Sequence, residues 1–150
     1  MPSPLPHATF ESMIRRKPDY GHIPVLLVDD EPAALDLCKR LLERLCFRDI
    51  TPAADGMGAL SMLKERKFGV VISDWNMPKM SGLELVRRIR ADEKLARTPF
   101  LMTSVDGAVV RARVAREAGV NAFLIKPFGE AALRAKLHEV LGPSGMRSAA

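Results

Sequence analysis

Five short apolar runs, four of them closing on polar or charged residues, set the tightest limit on what this chain can fold into. Val25-Leu26-Leu27-Val28 runs into Asp29-Asp30, and Gly69-Val70-Val71-Ile72-Ser73 into Asp74. Phe100-Leu101-Met102-Thr103 runs into Ser104, and Ala122-Phe123-Leu124-Ile125 into Lys126-Pro127. A weaker run covers 50–54. The four strong runs do not alternate apolar with polar, so each predicts a strand buried on both faces, as in a parallel sheet covered by helices. The intervening segments carry helical periodicity. Pro32 opens one with Leu35, Leu37, Leu41, Leu42 and Leu45; others are predicted over 57–66, around Leu83, Leu85, Val86 and Ile89, and over 108–118. The last ends near Leu141, where Gly142-Pro143 stops it. Strand and helix alternating five times predict an α/β fold: a doubly wound five-stranded parallel sheet with helices on both faces.

Pro52 constrains the strand order. A proline cannot donate to a sheet ladder, so the 50–54 strand belongs at an edge, and the order 2-1-3-4-5 puts it there. In that order the connections diverge between strands one and three. A ligand site is then expected beyond the carboxyl ends of those strands.

The ends of the chain read differently. Residues 1–22 hold Pro2, Pro4, Pro6 and Pro18 and the basic run Arg15-Arg16-Lys17, and are expected to form a flexible arm. Within it Phe10, Met13 and Ile14 fall at helical spacing behind Thr9, so a short docking helix is the other reading. The domain is expected over 23–142, with a short tail at 143–150. No run reaches the ~18 apolar residues of a membrane span, and the N-terminus lacks the apolar stretch of a secretory signal. A cytoplasmic location without membrane insertion is therefore expected. A net charge of +5 is spread along the chain and clusters only weakly, in the arginines of one helix, so no nucleic-acid partner is expected. Cys38 and Cys46 stand eight apart in what reads as one helix, about 12 Å along its axis, too far for a disulfide. Both are expected to be buried or half-buried thiols.

Chemistry gathers where the strands end. The topology brings Asp29, Asp30, Asp74, Ser104 and Lys126 to one edge of the sheet. Three converging carboxylates need raised pKa values or a cation, and without His or Cys beside them the economical ion is hard and oxygen-liganded: Mg²⁺. Asp74, ending the central strand, is placed to attack phosphorus. A metal held by Asp30 and Asp74 screens its charge, Lys126 pairs with a phosphoryl oxygen, and Ser104 donates to another. A cis Lys126-Pro127 bond would aim the lysine inward.

The segments VDDEP, SDWNMPKMSGLELVRRIR, TS and KPF, in register over about 23–141, strongly resemble the receiver domain of bacterial two-component response regulators, of the CheY-like single-domain type. That resemblance implies a flavodoxin-like fold with Asp74 as phosphoacceptor. It implies Mg²⁺ on Asp30, Asp74 and the backbone carbonyl of Asn76, with Asp29 acting through water. It makes Ser104 the switch hydroxyl, Lys126 the phosphate partner and Phe123 the aromatic switch residue. A phosphoryl dianion then draws Ser104 inward, Phe123 turns into the vacated space, and the face of helix four, strand five and helix five changes shape. The implied partners are a histidine kinase or phosphotransfer protein and a downstream protein at that face, with no nucleic acid.

Two departures stand out. Val105 follows the switch hydroxyl where the family has a very small residue, which narrows the path for a donor or for water. Thr103 precedes Ser104, and strand alternation lets only one of the two hydroxyls face the site. Arg111, Arg113 and Arg116 on helix four read as a solvated face or a partner contact. With only nine residues after Leu141, the expected protein is a stand-alone receiver that assists its own phosphorylation and dephosphorylation. The alternatives are a docking module that works unphosphorylated and a Mg²⁺-dependent aspartyl-phosphate phosphatase. The latter is disfavoured by Asn76, because such enzymes place a carboxylate two residues after the nucleophile.

Overall fold

The computed structural model describes residues 20–142. The amphipathic stretch around Phe10 to Ile14 and the tail 143–150 lie outside the described residues. In chain order the elements are β1 (Val25–Val28), α1 (Pro32–Arg44), β2 (Ile50–Ala53), α2 (Gly56–Glu65), β3 (Val70–Asp74), α3 (Gly82–Ala91), β4 (Phe100–Ser104), α4 (Val109–Ala118), β5 (Ala122–Ile125) and α5 (Glu130–Leu141). The five strands form one parallel sheet in the order β2-β1-β3-β4-β5. Pro52 does sit in the edge strand, opposite Leu27.

Successive strand residues serve opposite cores, which is why the runs had to be apolar throughout. Leu26, Val28, Val71, Phe100 and Met102 pack with Leu60 and Leu63 of α2 and Leu85, Val86 and Ile89 of α3. Val25, Leu27, Val70, Ile72 and Leu101 pack with Leu42 of α1 and Leu133 and Leu137 of α5. Helix starts are set locally. Asp55 caps α2 by accepting from the Gly58 amide at 2.7 Å, and Ser81 caps α3 by accepting from Glu84 at 3.1 Å, in a Ser-x-x-Glu pattern.

Tyr20, assigned by the sequence pattern to the arm, is buried and stacks on Phe47 with ring centroids 4.7 Å apart. Packing therefore begins inside the stretch 1–22. The cysteines also differ from expectation. Cys38 is buried, and desolvation pushes its thiol up to about 12, but Cys46 is exposed and lies beyond the end of α1. Its φ of 73° puts it at the left-handed position of a Schellman turn, with Cys46 N–H donating to the Glu43 carbonyl and Phe47 N–H to Leu42. Glycine holds the corresponding place after α4, at Gly119 (φ 104°). Cys46→Gly is thus expected to stabilise the fold by about 1 kcal/mol, read by urea denaturation, since an L side chain is strained there. An unchanged or lower midpoint would show that the cysteine side chain contributes contacts that outweigh this strain.

Candidate functional site

The strand ends meet as the topology requires. Asp29 follows β1, is 5% exposed, and accepts the Glu31 amide on Oδ1 at 3.0 Å. Asp30 beside it is exposed, and Asp74 ends β3 half-buried. One carboxylate oxygen from each of the three lies within 4.8 Å of the others. This all-oxygen set on neighbouring strand ends suits a hard divalent cation. The N-cap of α1 is Glu31, which makes no side-chain cap bond, so Asp29 and Asp30 stand ahead of the helix as site carboxylates.

Lys126 reaches into the same place. Its Nζ donates to Asp29 Oδ2 at 2.8 Å and lies 3.4 Å from Asp74 Oδ1. The Lys126-Pro127 peptide is cis. Burial raises the Asp74 carboxyl above the usual range and the Asp29 charge adds to this, while Lys126 and the Trp75 amide pull it back only in part. Burial alone would lower the Lys126 ammonium. Its hydrogen bond to Asp29 and the charges of Asp29 and Asp74 outweigh that and hold it above the ordinary value.

The two adjacent hydroxyls part as alternation requires. Thr103 Oγ1 donates to the Ser73 carbonyl at 3.4 Å. The fully buried Ser104 Oγ instead accepts from the Asp106 amide at 3.1 Å and from Arg111 Nη1 at 3.2 Å. The loop after Asp74 is tied down by Trp75 N–H to the Thr103 carbonyl and Gly82 N–H to the Trp75 carbonyl, both at 2.8 Å. Asn76, within this loop, is exposed. Gly82 is required: a Cβ there would lie 2.2 Å from the Asp74 carbonyl oxygen. Phe123 on β5 is half-buried and meets Trp75 edge-on at 6.1 Å. Val105 is 70% exposed and shares the rim of an apolar cleft with Asp29, Lys126 and Cys38.

Arg111 corrects the reading of helix four. Instead of standing on a solvated face, it turns inward beside Ser104, while Arg113 and Arg116 remain exposed. Periodicity gives Arg111 and its neighbours equal standing. Only the tertiary placement of Trp75 and Ser104 separates them.

Residues 25–138 match the model of the response regulator receiver domain. The chain belongs to that family. It is 41% identical to chemotaxis protein CheY-3 of Vibrio cholerae over 116 residues, 77% of this chain and 89% of that protein. Identity to a CheY homolog of Campylobacter jejuni is 39% over 127 residues, 84% of this chain and 98% of the relative. Among solved structures, CheY4 of Vibrio cholerae superposes with a TM-score of 0.74 at 32% identity, covering 79% of this chain and 98% of that one. The receiver domain of a Pseudomonas aeruginosa sensor histidine kinase, with a magnesium ion coordinated in its active site cleft, gives 0.73 at 28% identity over 81% and 98%. This is a CheY-type receiver, a signalling domain with an acidic pocket formed by Asp29, Asp30 and Asp74.

Proposed function

We propose that this receiver is phosphorylated on Asp74 by a histidine kinase or phosphotransfer protein in a Mg²⁺-dependent reaction, and that the modified protein binds a downstream protein in chemotaxis-like signalling. The observation that carries this reading is the company of Asp74: two further carboxylates and an ammonium converge on it at the end of the central strand. Asp30, Asp74 and the Asn76 carbonyl would hold Mg²⁺, with Asp29 through water, and the ion supplies charge neutralisation at the equatorial phosphoryl oxygens. Asp74 forms the new O–P bond as the P–N bond of a phosphohistidine breaks; the electron pair stays on the departing nitrogen, and the ring, already protonated on its other nitrogen, leaves as neutral imidazole. Lys126 then exchanges its carboxylate partners for a phosphoryl oxygen, and Ser104 donates to another. Phe123 follows Ser104, which alters the surface of α4, β5 and α5. That surface already exposes Val109, Val110 and Ile125, an apolar patch suited to a protein partner.

Trp75, adjoining Asp74, reports on the site. Titration with Mg²⁺ and then beryllofluoride, a phosphoryl mimic, is expected to change its fluorescence saturably, with the beryllofluoride response lost in Asp74→Asn. A folded wild type that answers neither ligand would favour the docking module that works unphosphorylated.

A further inference from the structure

Ser104 and Trp75 share a neighbour for which the phosphoacceptor chemistry has no use. Arg111, in the first turn of α4, donates from Nη1 to Ser104 Oγ at 3.2 Å. Its guanidinium carbon lies 4.4 Å from the centre of the Trp75 ring, and its Nε lies 3.4 Å from Asp106 Oδ2. The cation–π contact and an ion pair fix the fork, so it holds Ser104 from a defined place and not from the end of a loose side chain. Asp106 completes the arrangement: its amide donates to Ser104 Oγ and its Oδ1 accepts from the Ala108 amide at 3.0 Å. Ala108 is the N-cap of α4 and offers no side-chain cap. The first turn is therefore held by this cluster.

A serine hydroxyl has two acceptor lone pairs and one proton to donate. Here both acceptor positions are filled from the α4 side, by the Asp106 amide and Arg111, and the proton alone is left for a new partner. We infer that Arg111 is a positioning residue, holding the Ser104 hydroxyl on the α4 side in the unphosphorylated protein and opposing its movement toward a phosphoryl group on Asp74. This rests on the phosphoacceptor reading above. A ligand that draws Ser104 toward Asp74 must stretch a hydrogen bond from a charged donor, among the stronger kinds. It must also release a side chain that ties Ser104 to the helix carrying Val109 and Val110. The contact is present before phosphorylation, so it favours that state, and its loss shifts the balance toward the other.

Beryllofluoride affinity at saturating Mg²⁺ provides the test, read by ¹⁹F NMR because changes at Arg111 alter Trp75 fluorescence directly. Arg111→Ala is expected to bind the mimic about tenfold more tightly than wild type, with Arg111→Lys between them. In a Ser104→Ala background the same substitution is expected to change nothing. Affinity that is unchanged or weaker in both Arg111→Ala and Arg111→Lys overturns the proposal, the weaker result making Arg111 a phosphoryl ligand instead. A gain that persists without the Ser104 hydroxyl also overturns it, by routing the effect through Trp75 or Asp106. A wild type that binds Mg²⁺ but ignores beryllofluoride removes the phosphoacceptor reading itself, and the Arg111 role with it. If the variants answer as wild type does while wild type responds normally, only the Arg111 role falls.

Discussion

In EDTA near neutral pH, Asp74→Asn is expected to melt at a higher temperature than the wild type, and in excess Mg²⁺ the order is expected to invert. The Asp74 carboxyl is held above its ordinary pKa chiefly by burial, with the Asp29 charge adding to it and Lys126 offsetting only part. A folded-state pKa above the unfolded one means that the folded protein binds more protons between the two values, so stability falls as pH rises through that window. Below the unfolded value, ~4, the carboxyl is neutral in both states and costs nothing. Above the folded value the full penalty is present. Asparagine does not ionise, so its advantage should grow through the window and then level off, reaching on the order of 1 kcal/mol, a usual single-site effect. Lys126 keeps its 2.8 Å bond to Asp29 in the variant, which limits what is lost.

Magnesium is expected to reverse the comparison, because an ion held by three converging carboxylates would bind only the folded site. At a concentration one hundred times its Kd, a ligand stabilises by about 2.7 kcal/mol. The wild type is expected to gain this, and Asp74→Asn, short of one carboxylate, to gain less. Melting curves for both proteins, with EDTA or Mg²⁺, at about pH 4 and about pH 7, should therefore cross. Parallel shifts in Mg²⁺ would remove Asp74 from the metal site, and a variant less stable than wild type in EDTA would mean that its pairing with Lys126 outweighs its burial.

How much of this was legible beforehand depended on whether a residue's role is set by local chemistry or by distant packing. Asp29, Asp74, Ser104 and Lys126 could be grouped from the sequence because a parallel sheet brings every strand's carboxyl end to one edge. Once the apolar runs fix the strands, the site follows from connectivity. Pro52 was as informative, since a missing amide proton constrains strand order without reference to neighbours. Tyr20 was not legible: its burial depends on Phe47, far along the chain, and a proline-rich leader gives no sign of it. Cys46 hid a left-handed residue because Schellman turns are signalled by glycine, and none stands there. Arg111 shows the sharpest limit. Its helical phase is compatible with solvent, and the face of Trp75, the oxygen of Ser104 and the carboxylate of Asp106, all supplied from outside its own helix, turn it inward.

Lys126→Met is expected to separate the lysine's two roles. The ammonium is at present the cation that neutralises the acidic cluster, touching the buried Asp29 at 2.8 Å and Asp74 at 3.4 Å. Methionine keeps the length of the stem and removes the charge. Asp29 is then left with the Glu31 amide, and three carboxylates face one another without a counter-charge. Breaking such a pair costs several kcal/mol when both partners are fully buried; with the lysine side chain 20% exposed, about 2 kcal/mol in EDTA is the expected loss. The raised Lys126 pKa means that the wild-type pairing is complete at neutral pH and is lost only as pH rises through the folded value, above ~10.4, so the deficit should be flat across the neutral range. Magnesium should restore stability, and its affinity should rise about tenfold because it no longer competes with the ammonium for the same oxygens. Beryllofluoride should nevertheless fail to bind, since the group that would meet a phosphoryl oxygen is gone. Tight Mg²⁺ binding without the mimic would divide the site into a metal half and a phosphoryl half. A variant that binds Mg²⁺ more weakly, or that still captures beryllofluoride, would place Lys126 outside the phosphoryl site and leave it a structural counter-ion of Asp29.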